Sequence, residues 1–209
     1  MIINYFIIIC MGYLLGTLNL AFFIGKLKGF DIRKYGSNNA GASNATITMG
    51  AKIGFLVGLH DILKSVIAIF LVSQLFPTLL GAKAIAGASA VLGHIFPFYL
   101  KFKGGKGFAP FLGMVLALDW KFFLAIVAIV FVVTLISDYI VLGTLTTIIS
   151  FPIYLCFTEG NTLSVIPILI VSLIILSKHF VNIKRIIKGE EIGLRRAFSK
   201  KDKINKSED

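Results

Sequence analysis

Long apolar runs recur along nearly the whole chain and constrain its fold more than any other feature. They lie at residues 2–25, 51–76, 81–99, 107–118, 121–137, 139–157 and 163–178. Each run is uniformly apolar rather than alternating, and a helical membrane span needs about 20 such residues. A lone segment in lipid must satisfy its own backbone hydrogen bonds, so only helices can span here. The sequence therefore predicts an all-α, polytopic membrane protein with about seven transmembrane helices.

The composition agrees with this fold class. Hydrophobic residues make up 57% of the 209 residues and charged residues 15%, whereas about one quarter of the residues are charged in a soluble domain. We expect a single membrane domain over residues 1–209, with a short basic tail from about residue 179. The first run lacks a basic n-region and a cleavage site, so we expect a retained helix rather than a signal peptide. Cys10 and Cys156 lack metal-ligand spacing, and we expect neither a metal nor a cofactor.

The placement of lysine and arginine predicts the orientation. Most of the 21 basic residues lie in residues 26–52, 99–106 and the tail from residue 178. Because basic loops are retained in the cytoplasm, we expect a cytoplasmic tail and an external N-terminus. The run 107–118 would reach only about 18 Å as a helix, short of a hydrocarbon core about 30 Å thick. It either crosses, as does 121–137, giving seven spans, or forms a re-entrant hairpin with that run, giving five.

The first polar stretch, YGSNNAGASNATITMG at residues 35–50, contains amides, hydroxyls and glycines but no carboxylate. Neutral donors and accessible backbone N–H groups suit an anion better than a cation. The plainer alternative for a serine such as Ser37 is a turn or a helix cap.

The second stretch, GHIFPFYLKFKGGKGFAP at residues 93–110, places three glycines around two lysines directly before an apolar run. Glycines let the backbone approach a ligand, and a helix N-terminus presents free N–H groups to an anion. It does not have the spacing of a Walker A loop. The alternative is an ordinary cytoplasmic turn with basic residues.

The third stretch, KHFVNIKRIIKGEEIG at residues 178–193, repeats polar side chains at helical spacing. His179, Asn182 and Arg185 would share one face of a helix just past the membrane boundary. An imidazole, an amide and a guanidinium can together bind phosphate or carbonyl oxygens. Taken alone, this face can equally be a solvated juxtamembrane surface.

Together and in this order, the three stretches resemble the integral-membrane acyl-phosphate:glycerol-3-phosphate acyltransferases of bacteria. The resemblance lies in DIRKYGSNNAGASN (31–44), GHIFPFYLKFKGGKG (93–107) and HFVNIKRIIKGEE (179–191), and HDILKS (60–65) is similar to that family's second helix. It implies a seven-span enzyme of the bacterial plasma membrane with a cytoplasmic active site. It further implies acyl transfer from acyl phosphate to the 1-hydroxyl of glycerol 3-phosphate, yielding lysophosphatidic acid for phospholipid biosynthesis. The implied partners are these two substrates and membrane lipids, without nucleic acid, metal or cofactor.

The residue types fit this chemistry. Acyl phosphate is a mixed anhydride whose leaving group needs no strong acid. The protein must mainly hold two phosphates, align a hydroxyl with a carbonyl and stabilise the oxyanion. Neutral donors and a few cations do this, whereas we expect paired carboxylates to repel the substrates. No histidine is followed five positions later by the aspartate of the H-x-x-x-x-D acyltransferases.

The resemblance assigns roles to individual residues. Catalytic roles fall to Ser37, Lys106, His179 and Asn182. Substrate binding falls to Gly36, Asn39, Gly41, Ser43, Asn44, His94, Lys103, Gly104, Gly105 and Arg185. A structural role for His94 is an equal alternative. Asp61 and Lys64, an i,i+3 pair inside the second apolar run, are expected to neutralise each other and pin the helices.

The first motif departs from the family pattern at two positions. Ile47 stands where the family has an arginine, and Asn38 replaces a glycine; asparagine tolerates a positive φ better than most residues. Losing one charge-assisted contact in a dry site costs on the order of 2–4 kcal/mol, or about 30- to 1,000-fold in rate.

Three interpretations therefore stay open. In the first, Arg33, Lys52 or Lys103 replaces the arginine in an active enzyme. In the second, the chain is a divergent paralogue with weak activity or another phosphorylated acceptor. In the third, it is a non-catalytic membrane protein that binds anionic lipid or assembles with partners.

Overall fold

The computed structural model describes residues 1–159 and 161–197, and within them the regular structure is entirely helical. The helices are α1 (Ile2–Thr17), α2 (Leu20–Leu27), α3 (Ala42–Met49), α4 (Ala51–Leu75), α5 (Ala82–Ile95), α6 (Phe108–Leu118), α7 (Trp120–Ser137), α8 (Ile140–Thr158), α9 (Thr162–Ile187) and α10 (Leu194–Ala197). Short 3₁₀ turns lie at Ile32–Lys34 and Phe98–Leu100. The prediction of an all-α membrane protein is confirmed. The part of the predicted basic tail from residue 198 onward lies outside the described residues.

Six segments in the described part of the chain are long and apolar enough to cross a membrane: Ile2–Leu27, Ala51–Leu75, Ala82–Leu100, Trp120–Ser137, Ile140–Thr158 and Thr162–Ile187. The short run between them forms α6, which has 11 residues and a length of about 16 Å. Helix α6 packs closely on α4, since a Cβ on Gly113 would lie 2.1 Å from the carbonyl oxygen of Ile62. The number of crossings and the orientation stay predictions.

The first apolar run is broken rather than continuous, which the sequence did not predict. Helix α1 ends at Thr17, and Asn19 adopts an extended conformation before α2. The side-chain oxygen of Asn19 accepts a hydrogen bond from Phe22 N at 2.9 Å and so caps α2. Asparagine is among the strongest N-cap residues, which explains why a helix restarts here inside an apolar segment. The break leaves the carbonyl of Leu18 outside both helices.

Small residues bring α1 and α5 into close contact. A Cβ on Gly16 would lie 2.1 Å from the carbonyl oxygen of Ala90, and one on Gly93 would lie 2.1 Å from that of Tyr13. Membrane helices, which gain no hydrophobic stabilisation from each other in lipid, pack through such small residues. Helix α5 ends at Ile95 because Pro97 disfavours helical geometry at the preceding residue. This packing fixes the end of α5, and therefore His94, directly below the glycines at 104 and 105.

Candidate active site

The three polar stretches meet around one cavity of about 850 Å³. Ten of the predicted site residues border it: Gly36, Ser37, Asn39, Gly41, Ser43, His94, Lys106, His179, Asn182 and Arg185. Much of the remaining lining is apolar and includes Ile47, Phe55, Phe108, Ile140, Val141, Ile192 and Leu194. The cavity thus combines a polar part, which can hold phosphate, with apolar walls that suit an acyl chain.

Two helices begin at the cavity. Helix α3 starts after Gly41 and α6 after Gly107, and neither has a side chain that caps its N-terminus. Gly41, Ala42 and Ser43 border the cavity at the first start, as do Gly107 and Phe108 at the second. Unpaired N–H groups and the helix dipole give such ends a partial positive charge. The backbone alone therefore makes one side of the cavity attractive to anions.

The first loop, residues 35–44, is held together from inside by Asn44. Its Oδ1 accepts from Ser37 N at 2.8 Å, and its Nδ2 lies 2.7–3.1 Å from the carbonyl oxygens of Ile32, Tyr35 and Asn39. Asn44 is fully buried. These backbone contacts occupy the amide of Asn44 and disfavour substrate binding by it, which stays a prediction. It shapes the loop that presents Ser37.

Asn38 lies in the same loop and has a φ of 60°. This is the left-handed region, which asparagine enters more readily than most residues. The substitution of a glycine by Asn38 is therefore compatible with the turn. Next to it, the side-chain nitrogen of Asn39 donates to Ser37 Oγ at 3.0 Å, which leaves the hydroxyl hydrogen of Ser37 free for a ligand.

The second loop, residues 96–107, lies on the end of α5. Gly104 N donates to Ile95 O at 3.1 Å, and Gly105 N to His94 O at 3.2 Å. A Cβ on Gly105 would lie 2.0 Å from His94 Nε2, so only glycine fits above the ring. Gly104 and Gly105 do not border the cavity. Their close packing sets the position of Lys106, and their role in binding substrate stays a prediction.

The third stretch supplies a chain of hydrogen bonds to Lys106. The ammonium of Lys106 donates to Asn182 Oδ1 at 2.6 Å, and Asn182 Nδ2 donates to Glu191 Oε1 at 2.5 Å. His179 Nδ1 lies 2.8 Å from the carbonyl oxygen of Ile175. A carbonyl only accepts, so Nδ1 carries the hydrogen and Nε2 of the neutral ring is an acceptor. The predicted helical face of His179, Asn182 and Arg185 is present on α9.

Burial lowers the pKa of Lys106 to about 8, from an ordinary value of 10.5. The negative charge of Glu191 opposes this shift, while the positive charge of Arg185 adds to it. A lysine with this pKa is still mostly charged at neutral pH, and its charge is poorly hydrated. Such an ammonium gains more from a phosphate than an exposed lysine does, because the ion pair forms in a less polar environment.

Two of the cations proposed to replace the missing arginine do not border the cavity. The guanidinium of Arg33 binds Asp31, with Nη2 and Oδ2 2.7 Å apart, and also donates to Leu100 O at 2.8 Å. This side-chain hydrogen bond lowers the pKa of Asp31 to about 2. Lys103 is exposed and does not border the cavity, so its substrate contact stays a prediction. Lys52 does border it, alongside Ile47.

Sequence reasoning missed several residues of the cavity. Glu190 and Glu191 both border it, although we expected paired carboxylates to be excluded. Glu191 is tolerated because it accepts from Asn182 instead of facing the ligand alone. The signal was present in the final GEE of the third stretch. Tyr139 and Thr144 also border the cavity, but no motif surrounds them in the sequence.

Comparison with known proteins gives one consistent result. The family model described as glycerol-3-phosphate acyltransferase matches residues 6–189. Glycerol-3-phosphate acyltransferase 1 of Oceanobacillus iheyensis is 36% identical over 211 residues, covering 94% of this chain and 98% of the relative. The glycerol-3-phosphate acyltransferase of Prochlorococcus marinus (strain MIT 9312) is 39% identical over 188 residues, covering 88% of this chain and 95% of the relative.

Two solved structures are also similar. The glycerol 3-phosphate form of PlsY (YgiH), an integral membrane glycerol 3-phosphate acyltransferase, has a TM-score of 0.84 and 32% identity, and the match covers 90% of this chain and 94% of PlsY. The lysophosphatidic acid form has a TM-score of 0.81 and 31% identity, and the match covers 92% of this chain and 97% of PlsY.

Proposed function

The chain belongs to the glycerol-3-phosphate acyltransferase family, and we propose that its cavity transfers a fatty acyl group from acyl phosphate to the 1-hydroxyl of glycerol 3-phosphate. It is an acyltransferase of phospholipid synthesis, and glycerol 3-phosphate is its substrate. The observation that carries the proposed mechanism is the convergence of two uncapped helix N-termini and Lys106 on one cavity with apolar walls.

Phosphate groups bind at the polar part of the cavity. The N-termini of α3 and α6 offer backbone N–H groups, and Lys106 adds a positive charge. Lys52 and Arg185 also border the cavity and are available to a second phosphate. These groups are fixed before substrate arrives, so they stabilise developing negative charge without reorganisation. Metal ions are not required in this scheme, because the charge is neutralised by side chains and helix ends.

Acyl transfer then needs little acid–base chemistry. The 1-hydroxyl oxygen of glycerol 3-phosphate attacks the carbonyl carbon of the acyl phosphate, and the bond from that carbon to the phosphate oxygen breaks. Inorganic phosphate leaves, and the acyl ester is lysophosphatidic acid. The proton of the attacking hydroxyl passes to His179 Nε2 or to a substrate phosphate. Ser37 donates its hydroxyl hydrogen to a phosphate or positions the attacking hydroxyl.

We also assign the chain to the plasma membrane of a bacterium, with the cavity facing the cytoplasm. The matched relatives are bacterial, and the loops around the cavity carry the basic residues that favour the cytoplasmic side. Acyl phosphate is the donor that suits the site, because both substrates then carry a phosphate for the two helix N-termini. The apolar lining suits the acyl chain of the donor.

The test is acyl transfer by purified protein in lipid, from palmitoyl phosphate to radiolabelled glycerol 3-phosphate. We expect wild-type protein to form labelled lysophosphatidic acid and Ser37→Ala to lose at least about 100-fold of kcat/KM. Ser73→Ala, at a half-buried position of α4 that does not border the cavity, is the matched control and should behave like wild type. Folded wild-type protein that gives no product would overturn the proposal. Labelling from a different phosphorylated acceptor under the same conditions would instead favour a divergent paralogue.

A further inference from the structure

A closed circuit of hydrogen bonds, joined by short stretches of backbone, lies beneath the two glycine-rich loops. It runs through Leu18, Asn19, Ala40, Gly104, Gly105, His94 and Lys64, and we name it the support ring. The ammonium of Lys64 donates to Leu18 O at 3.1 Å, and the neighbouring Asn19 donates from Nδ2 to Ala40 O at 2.9 Å. Ala40 belongs to the first loop and donates from its N–H to Gly104 O of the second loop at 3.4 Å.

The circuit closes through His94. The second loop lies on the end of α5 through the hydrogen bond from Gly105 N to His94 O. The ring nitrogen Nδ1 of His94 lies 2.7 Å from Lys64 Nζ. One ammonium on α4 is therefore joined to the break between α1 and α2, to the first loop and to the second loop. These segments are distant in the sequence, and the loops are the two that build the phosphate side of the cavity.

The protonation pattern of the support ring follows from its donors. An ammonium has hydrogens and no acceptor, so His94 Nδ1 must accept from Lys64 and the ring hydrogen lies on Nε2. Asp61 Oδ1, which is 2.8 Å from Lys64 Nζ, also lies 3.3 Å from His94 Nδ1. The ammonium hydrogens thus separate two acceptors that would otherwise repel each other. The orientation of the imidazole is fixed, and with it the surface on which Gly105 lies.

Charge neutralisation alone does not account for Lys64. Lys64 is 3% exposed, Asp61 1% and His94 2%, and burying an ion pair in such a site is costly. Neutralisation uses one hydrogen of the ammonium, whereas the other two are directed at Leu18 O and His94 Nδ1. The carbonyl of Leu18 would otherwise be unpaired at a helix break inside a membrane segment, which is unfavourable in lipid.

We infer that Lys64 is a positioning residue for the acyl-transfer reaction. Through the support ring, its hydrogen bonds hold the two glycine-rich loops at the separation that lets one cavity bind both phosphates. This inference rests on the proposed function, which identifies those loops as the phosphate side of the site. Lys64 itself is buried below the cavity and does not border it, so it acts through Leu18, Asn19 and His94.

Two double variants distinguish a positioning role of Lys64 from simple charge neutralisation. We call them the methionine pair and the glutamine pair, after the residue placed at position 64. Asp61→Asn/Lys64→Met removes both charges and every hydrogen-bond donor at position 64. Asp61→Asn/Lys64→Gln removes the same charges but keeps an amide donor there. Asp61 borders the cavity, so both pairs share any direct effect of losing its charge. If Lys64 only neutralised Asp61, the two pairs would behave alike. We expect the methionine pair to raise KM for glycerol 3-phosphate about 10-fold, since small misplacements of binding groups are costly. The glutamine pair should lie between it and wild type.

A second measurement does not depend on activity. Amide hydrogen–deuterium exchange in lipid should rise in the methionine pair for peptides that cover residues 36–44 and 100–107, with unchanged exchange in α7 and α8. Ser65→Ala is the matched control, because Ser65 is buried on the same turn of α4 and its hydroxyl has no hydrogen-bond partner among the described residues. Wild-type KM and wild-type loop exchange in the methionine pair would overturn the inference.

These outcomes distinguish the inference from the proposed function. Wild-type protein that forms no lysophosphatidic acid contradicts the function, while loop exchange still decides the role of Lys64. If the methionine pair does not fold, His94→Asn is the second variant. It keeps an amide near the position of Nδ1 for Lys64 but removes the ring atoms beneath Gly105. We expect faster exchange confined to residues 100–107, and unchanged exchange there would also overturn the inference.

Discussion

Two lysines of this protein, Lys106 and Lys64, are both largely buried but differ in what surrounds the ammonium. Within the described residues, Lys106 donates one hydrogen bond, to Asn182, and it borders the cavity. Lys64 has contacts for all three of its hydrogens and does not itself border the cavity. The hydrogens of Lys106 that remain free can bind a phosphate, whereas those of Lys64 are committed to the protein. Residue type does not distinguish the binding lysine from the positioning lysine; the number of free donors does.

The sharpest test of this comparison is Lys106→Met. Removing the ammonium from the phosphate side should lower kcat/KM for acyl transfer by about 100- to 1,000-fold, because a charge-assisted contact in a dry site contributes on the order of 3–4 kcal/mol. Steady-state kinetics in lipid measure this loss. Lys101→Met is the matched control, since Lys101 is exposed in the same loop, and its activity should stay near wild type. A smaller effect from Lys106→Met than from the Asp61→Asn/Lys64→Met pair would reverse the two assigned roles.

The next largest expected loss of kcat/KM comes from crowding Gly105 against His94 of the support ring. Gly105→Ala should lower kcat/KM by about 100-fold, because its Cβ would lie 2.0 Å from His94 Nε2 and the loop would have to move. Combining it with His94→Asn removes the clashing atom. The double variant should therefore be no worse than His94→Asn alone, a non-additive result in a double-mutant cycle. Purely additive losses would mean that His94 does not set the position of Gly105.

Gly58→Ala is the matched control for the glycine substitution. A Cβ at Gly58 would meet its nearest neighbour, Ala42 Cβ, at 3.4 Å, which is an ordinary contact. We expect this variant to keep wild-type kinetics.

The pH dependence of substrate binding tests the state of Lys106. Because burial lowers the pKa of Lys106 to about 8, the ammonium loses its proton as the pH rises through that value. Substrate phosphates are already dianionic there, since their second pKa is about 6. KM for glycerol 3-phosphate should be flat from pH 7 to about 8 and then rise up to about 10-fold per pH unit. Lys106→Arg should remove this rise, because arginine stays charged. A flat KM up to pH 9.5 in the wild-type protein would contradict the prediction.

The sequence predicted the fold class and most of the cavity because both depend on local signals. Uniform apolar runs identify helices, and glycines beside Ser37 and Lys106 mark places where backbone and cation can approach an anion. The roles of the asparagines were not predictable in the same way. Asn39 borders the cavity while Asn44, five residues later, is buried within its own loop. Which amide faces a ligand depends on how the loop closes, and sequence spacing does not determine that.

The support ring was beyond sequence reasoning for a different reason. The hydrogen bond from Lys64 to Leu18 spans 46 positions and that to His94 spans 30. The sequence predicted an Asp61–Lys64 pair because those residues are one helical turn apart, and the pair is present at 2.8 Å. The break at Asn19, which exposes the Leu18 carbonyl, lies inside an apolar run where hydrophobicity alone predicts a continuous helix. The further contacts of Lys64 become apparent only once that break is known.

The smallest expected effect is that of Ile47→Arg. Ile47 borders the cavity, with its Cγ2 near Gly36, and Lys52 and Arg185 border the same cavity. If these two cations already serve the phosphates, an added guanidinium should raise kcat/KM only about threefold, well below the 30- to 1,000-fold that a missing charge-assisted contact would restore.

Ile47→Met is the matched control for side-chain size, and acyl transfer to radiolabelled glycerol 3-phosphate measures all three proteins. A rise of 100-fold or from undetectable activity would show instead that the wild-type site lacks a cation it needs, which is the behaviour of a divergent paralogue. A modest rise would mean that Lys52 and Arg185 together supply the charge that a single arginine provides elsewhere in the family.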